Sequence, residues 1–149
     1  MSKYNLVQKS NLKRDLIFKI STDVENFHKV MPEYFKSLKI ISSTSNEKIV
    51  LESIDFLGRQ IEIKTKHVIV QPNLHKVYIL TGPAKNTSFI ETYDSSSTGT
   101  DISIDVNLQL NGFLKFIPFL KLFVLKKMNS VMSEFIVCAE SYSKSMSNS

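Results

Sequence analysis

The sequence predicts an α+β domain. A curved antiparallel sheet of about six to seven strands wraps around a long C-terminal α-helix, with two short helices after the first strand. Three observations predict it. Apolar residues alternate with polar ones along short runs between residues 38 and 110. The links between those runs are too short for the crossovers that parallel strands need. From Pro118 to Tyr142 the apolar spacing becomes helical.

Taken in order, residues 4–9 form the first expected strand. Asn11 suits a helix cap, and Leu12, Asp15, Leu16, Ile17 and Ile20 follow at helical spacing. A second helical piece starts at Ser21 or Thr22 and uses Val24, Phe27, His28, Val30 and Met31, until Pro32 interrupts it. Residues 38–43 and 48–54 are strands joined by a turn-rich Ser-Thr-Ser-Asn. After Gly58, residues 59–70 alternate. Ile61, Ile63, Thr65, His67 and Ile69 share the face expected to point inward, and Glu62, Lys64 and Lys66 share the other. Pro72 and Asn73 make a turn, residues 74–81 form a strand, and Gly82–Pro83 ends it. Residues 88–93 and 101–110 are the last strands. In the second of these Ile102, Ile104, Val106, Leu108 and Leu110 share one face. Gly112 breaks the pattern and Pro118 suits a first helical turn. The helix then carries a stripe of Leu120, Val124, Met128, Val131, Phe135, Cys138 and Tyr142. The polar tail, residues 143–149, is expected to fray.

Composition narrows the class. At 149 residues the chain is one domain long, read as a single unit over residues 1–149. It is 42% apolar with a net charge of +5, which excludes wholesale disorder. Cys138 is the single cysteine, so an intrachain disulfide and a Cys-rich zinc site are both excluded. The first twenty residues contain no apolar signal-like core, and the expectation is a cytoplasmic protein. Only two of the 19 basic residues are Arg, and the Lys residues scatter, so no nucleic-acid partner is expected.

The order strand, two helices, strands, long helix resembles the START-like superfamily, also called SRPBCC and typified by the birch pollen allergen helix-grip fold. Residues 77–106, VYILTGPAKNTSFIETYDSSSTGTDISIDV, look like the strand–Gly-Pro–strand–Gly-Thr–strand run of its polyketide cyclase/dehydrase and coenzyme Q-binding branch. Residues 20–32 resemble that branch's two-helix entry and Pro-containing exit. The resemblance implies a hydrophobic-ligand cavity between sheet and C-terminal helix. Relatives bind lipids, sterols, polyketides or quinones, some catalyse cyclisation or dehydration, and some act as adaptors.

Candidate chemistry follows from which residues share the inner face. The expected cavity lining is Ile63, Thr65, His67, Tyr78, Phe89, Val106, Leu108, Phe116, Leu120, Val124 and Met128. His67 could orient a polar ligand group or act as a general base. Glu91 lies between Phe89 and Tyr93 in strand parity. An inward Glu91 would be paired or functional, whereas an outward one is simply solvated. His67, Glu91 and Tyr93 are therefore the catalytic candidates. His28, His67 and His75 show no metal-ligand spacing, and neither metal nor cofactor is expected.

Residues 113–125 stand apart, with ten apolar residues of thirteen and four Phe. Thirteen residues are too few to span a bilayer. Phe119, Leu122 and Leu125 fall off the core stripe and Phe123 sits at its margin, among Lys115, Lys121, Lys126 and Lys127. These side chains are either extra core, a cavity mouth, a homodimer surface or a patch for an anionic membrane surface. Three functions stay open: a binder of a hydrophobic small molecule (lipid, isoprenoid, quinone or polyketide), a cyclase/dehydratase-type enzyme, and an adaptor peripheral to the membrane. The last is like the superfamily relatives associated with carbon monoxide dehydrogenase.

Overall fold

The structure, a computed structural model, describes residues 2–56 and 58–147. Seven strands form one antiparallel sheet: β1 Ser2–Ser10, β2 Phe35–Ser43, β3 Glu47–Phe56, β4 Arg59–Val70, β5 Leu74–Ile79, β6 Ser88–Ser96 and β7 Gly99–Leu108. Their order is β1-β7-β6-β5-β4-β3-β2, so every neighbour is sequential except the β1–β7 pair. Between β1 and β2 lie α1 Arg14–Thr22, a 3-10 turn Val24–Asn26 and the short α2 Phe27–Val30. After β7 comes a 3-10 turn, Gly112–Phe116, and then the 28-residue α3, Leu120–Ser147. The α+β architecture and the element order match the expectation.

Period-2 patterning explains the sheet. In β7, Ile102, Ile104, Val106 and Leu108 are buried on one face and their neighbours are not. In β4 the buried residues are Ile63, Thr65 and His67. The helices close the inner face. Ile17, Phe18 and Ile20 of α1 join Ile104, Val106, Leu108, Val124, Ile136 and Ala139 in the main core. A second cluster of Val24, Phe27 and Val50, with Phe35 and Phe135 against it, covers the β2–β3 end.

Two corners are tightly fixed. Glu140 of α3 accepts hydrogen bonds from Ser10 Oγ at 3.0 Å and from the Asn11 backbone N–H at 2.9 Å, pinning α3 to the end of β1. Gly99 opens β7 with φ +146°, and a Cβ there would collide with the Ser10 carbonyl oxygen. Only glycine fits so close an approach.

Some boundaries differ from the sequence reading. Lys13, not Asn11, occupies the α1 N-cap, and its side chain makes no capping bond. Asn11 instead gives its backbone N–H to Glu140. Helix α3 continues past Tyr142 to Ser147, because Tyr142 still packs against the core and the following polar residues extend a stable helix. Asn148 and Ser149 of the expected tail lie outside the described residues.

Candidate functional site: a cavity with a Glu-His-His-Glu wall

Helix α3 does not fill the curve of the sheet. A cavity of about 220 Å³ remains between α3 and strands β3 to β7. Its walls are mainly apolar. Ile54, Ile63, Val77, Ile79, Phe89 and Ile104 come from the sheet, Val124, Met128, Met132, Phe135 and Ile136 from α3, and Phe27 from α2.

A line of polar side chains crosses the sheet wall. Glu52, Thr65, His67, His75, Glu91 and Tyr93 all line the cavity. Their alignment follows from antiparallel register. Val50 faces Thr65, His67 faces Val77, and His75 stands directly opposite Glu91, so these residues share the inner face. Tyr93 Oη donates to Glu91 Oε1 at 2.8 Å. His75 Nδ1 lies 2.8 Å from the same oxygen and donates its proton there. His67 Nδ1 lies 3.0 Å from His75 Nε2, with the two rings inclined by only 19°. His67 Nε2 lies 3.1 Å from Thr65 Oγ1 and 3.4 Å from Glu52 Oε1. Thr65 Oγ1 donates to Glu52 Oε1 at 3.2 Å.

Donor and acceptor roles run along this line. With His75 Nδ1 donating to Glu91, His75 Nε2 is left to accept from His67 Nδ1. His67 Nε2 then faces Thr65 Oγ1 and Glu52 Oε1, so the four groups are linked from end to end across the sheet wall.

The local electrostatics fit. Burial pushes His67 below the ordinary imidazole range, and His75 adds to the effect against the opposing pull of Glu52 and Glu91. Burial acts to raise Glu91. Electrostatic attraction to His75, hydrogen bonds from His75 and Tyr93, and His67 outweigh it and hold the carboxyl below its usual value. Burial and the Glu91 charge push Tyr93 well above the normal phenol range. Burial, Glu52 and Asp55 push Tyr34, another lining residue, up to about 12. Among the described residues no group of three or more His, Cys, Asp or Glu side chains is placed to hold a metal ion.

No family model matches this chain, and no curated protein matches its sequence. Solved structures do. The structure of Ara h 8.0201 superposes with a TM-score of 0.76 at 15% identity, covering 97% of this chain and 98% of the other. TTHA0849 from Thermus thermophilus superposes at 0.76 with 12% identity, covering 94% and 95%. The Zhui aromatase/cyclase from Streptomyces sp. R1128 superposes at 0.75 with 13% identity, covering 93% of each chain. The chain has the helix-grip fold of these structures. At these identities the likeness establishes the helix-grip architecture alone, and the site is read from its own residues.

Within the helix-grip frame, Ile63, Thr65, His67, Phe89, Val124 and Met128 of the expected lining border the cavity. Five residues do not. Tyr78 points to the outer face, because the inner parity of β5 belongs to His75, Val77 and Ile79. Val106 and Leu108 face inward but are sealed in the core cluster that also holds Leu114 and Leu120. Leu120 itself is half-buried against that core. Phe116 is 76% exposed, because the chain leaves Gly112 in a 3-10 turn and α3 starts only at Leu120. Of the surface candidates, Phe119, Leu122 and Phe123 are exposed, whereas Leu125 packs against the core.

The catalytic candidates meet differently from expectation. Glu91 is inward, not solvated, and Tyr93 and Glu91 touch. His67 reaches them only through His75. Sequence spacing gave no sign that His67 and His75 meet, yet the turn at Pro72–Asn73 folds them onto adjacent strands. Glu52 was also missed. Its parity with the buried Val50 and Ile54 was the available signal.

Proposed function

We propose that this protein binds or carries a compact hydrophobic molecule in the helix-grip cavity, without obligatory catalysis. The single observation that carries this reading is the cavity of about 220 Å³ with mainly apolar walls and one polar strip. Apolar burial supplies affinity at about 25 cal/mol per Å². The volume is below the roughly 300–1,000 Å³ that encloses drug-sized ligands. It therefore favours an isoprenoid fragment, a quinone or a small polyketide ring over a full lipid. The carboxylates of Glu52 and Glu91 favour a ligand group that donates a hydrogen bond.

Native mass spectrometry of the protein purified from its own source tests this. A retained hydrophobic adduct of small mass is expected. A protein that retains nothing and takes up no apolar dye when purified free of ligand overturns the reading.

A second reading, a cyclase/dehydratase-type enzyme, is favoured by one arrangement: Glu91 is held by both Tyr93 and His75 at 2.8 Å inside the cavity. A carboxylate in contact with an imidazole and a phenol can take and return protons at a carbonyl-bearing substrate. Conversion of a linear poly-β-ketone by the wild type, lost in His75→Phe, would support it. Absence of turnover with ligand binding intact would leave the binding reading alone.

A further inference from the structure

The turn and helix that precede the cavity's α3 wall carry an apolar surface that no described residue covers. Phe113, Phe116, Ile117, Phe119, Leu122 and Phe123 are all exposed, with Phe119 at 81%. Phe119 also holds a left-handed backbone, φ 63°, which is unfavourable for a bulky aromatic residue. Its ring is turned outward at that cost.

Along the chain, the charge flanking these rings is of one sign. No Asp or Glu occurs between Asp105 and Glu134, while Lys115, Lys121, Lys126 and Lys127 all fall in that interval. Lys115 Nζ stands 5.2 Å from the centre of the Phe116 ring. The neighbouring β5–β6 loop adds Lys85. Its backbone carbonyls at Pro83 and Lys85 accept hydrogen bonds from the Asn111 side chain, which fixes it beside the turn. Residues 80–90, which contain that loop, also include no acidic residue.

We propose that this face docks on an anionic lipid surface, with the Phe rings in the interfacial layer and the lysines on the headgroups. Aromatic rings surrounded by lysines match that interface in both polarity and charge. A second copy of the chain matches it poorly, because a symmetric contact would set this lysine-bearing segment, which carries no acidic residue of its own, against the same segment of the other copy. The contact is peripheral, since no helix among the described residues is long and apolar enough to cross a membrane. Lys127 lines the cavity, as do Pro83 and Ala84 of the adjoining loop, so docking brings that end of the cavity to the lipid surface. The proposal does not depend on what the cavity binds.

Co-sedimentation with phosphatidylcholine vesicles, with and without phosphatidylserine, tests it. The wild type is expected to pellet with the anionic vesicles only, and to be released by high salt. The double variants Phe119→Ser/Phe123→Ser and Lys115→Glu/Lys126→Glu should each lose at least about tenfold in partitioning. Both should keep the wild-type unfolding temperature, because these side chains are exposed. Retention by the Phe variant equal to wild type would mean adsorption by general charge and overturn the docking face. Equal binding to pure phosphatidylcholine would overturn the anionic requirement. A protein that ignores vesicles and forms a dimer split by Phe119→Ser would assign the face to a second copy instead.

Discussion

His75 and Glu91 stand directly opposite each other on β5 and β6, with Nδ1 and Oε1 2.8 Å apart. This pair anchors one end of the polar line and joins it to Tyr93. It brings His75, which the sequence does not mark as a site residue, against the candidate Glu91 in the cavity wall.

Replacing His75 by Phe removes the donor to Glu91 and the acceptor for His67 Nδ1 together. A buried group left without its partner costs about 1–3 kcal/mol, and the variant should lose stability in that range in urea unfolding. The double variant His67→Phe/His75→Phe should be less destabilised than the sum of the singles by at least about 0.5 kcal/mol. Additive losses would show that the two rings are not coupled.

Stability should fall on acidification. The folded state lowers the His67 pKa below its ordinary 6.5, so the unfolded chain binds protons first as pH drops. The contribution of neutral His67 is fully present above that value and is lost as pH falls through the lower, folded one. Glu91 adds a second loss at lower pH. Its carboxyl is held below the ordinary 4.5, so its contribution is present above that value and disappears as pH falls through the folded pKa. Unfolding temperature measured against pH should show both declines, and His67→Gln should remove the first. A profile of the variant that matches the wild type would assign the decline to other groups.

Filling the cavity should block it. Met128 lines the space from α3, and Met128→Trp should reduce uptake of anilinonaphthalene sulfonate by about tenfold through lost volume. Phe116→Ser should leave uptake unchanged, because Phe116 lies outside the cavity. The reverse pattern in a fluorescence titration would move the binding site to the surface patch.

Gly99→Ala should destabilise the fold by at least about 2 kcal/mol. Its added methyl would run into the Ser10 carbonyl, and the backbone of Ser10 and Asn11 offers no flexible side chain to yield. Thermal unfolding checks this. A loss below that size would mean that the β1–α1 corner can relax.

Much of the frame was legible. Alternation marks β4 and β7, where one face is apolar and the other is polar or charged. The same signal failed in β6, where Phe89, Glu91 and Tyr93 alternate with Ile90 and Thr92. Both faces there carry apolar side chains, so sequence cannot choose the inner one. The register does, by placing Glu91 between His75 and Ile104, both buried on the cavity side. Tyr78 failed in the same way, because β5 carries apolar side chains on both faces and its inner parity belongs to His75, Val77 and Ile79. Phe116 failed because residues 112–116 form a 3-10 turn ahead of α3, so the helical stripe does not extend to it.

Local patterning thus specifies the elements, because burial of one face imposes a period that survives in the chain. It also specifies the misfit of residues 113–125, whose surplus of Phe is visible without any coordinates. Only the tertiary structure could bring Glu52, His67, His75 and Glu91 into one line. They come from four different strands, and the contact between them depends on register across three hairpins, which no local period encodes. The structure alone also separates the surplus apolar side chains. Leu125 turns to the core and Phe119, Leu122 and Phe123 to the outside, because the start of α3 sets its rotation against the sheet.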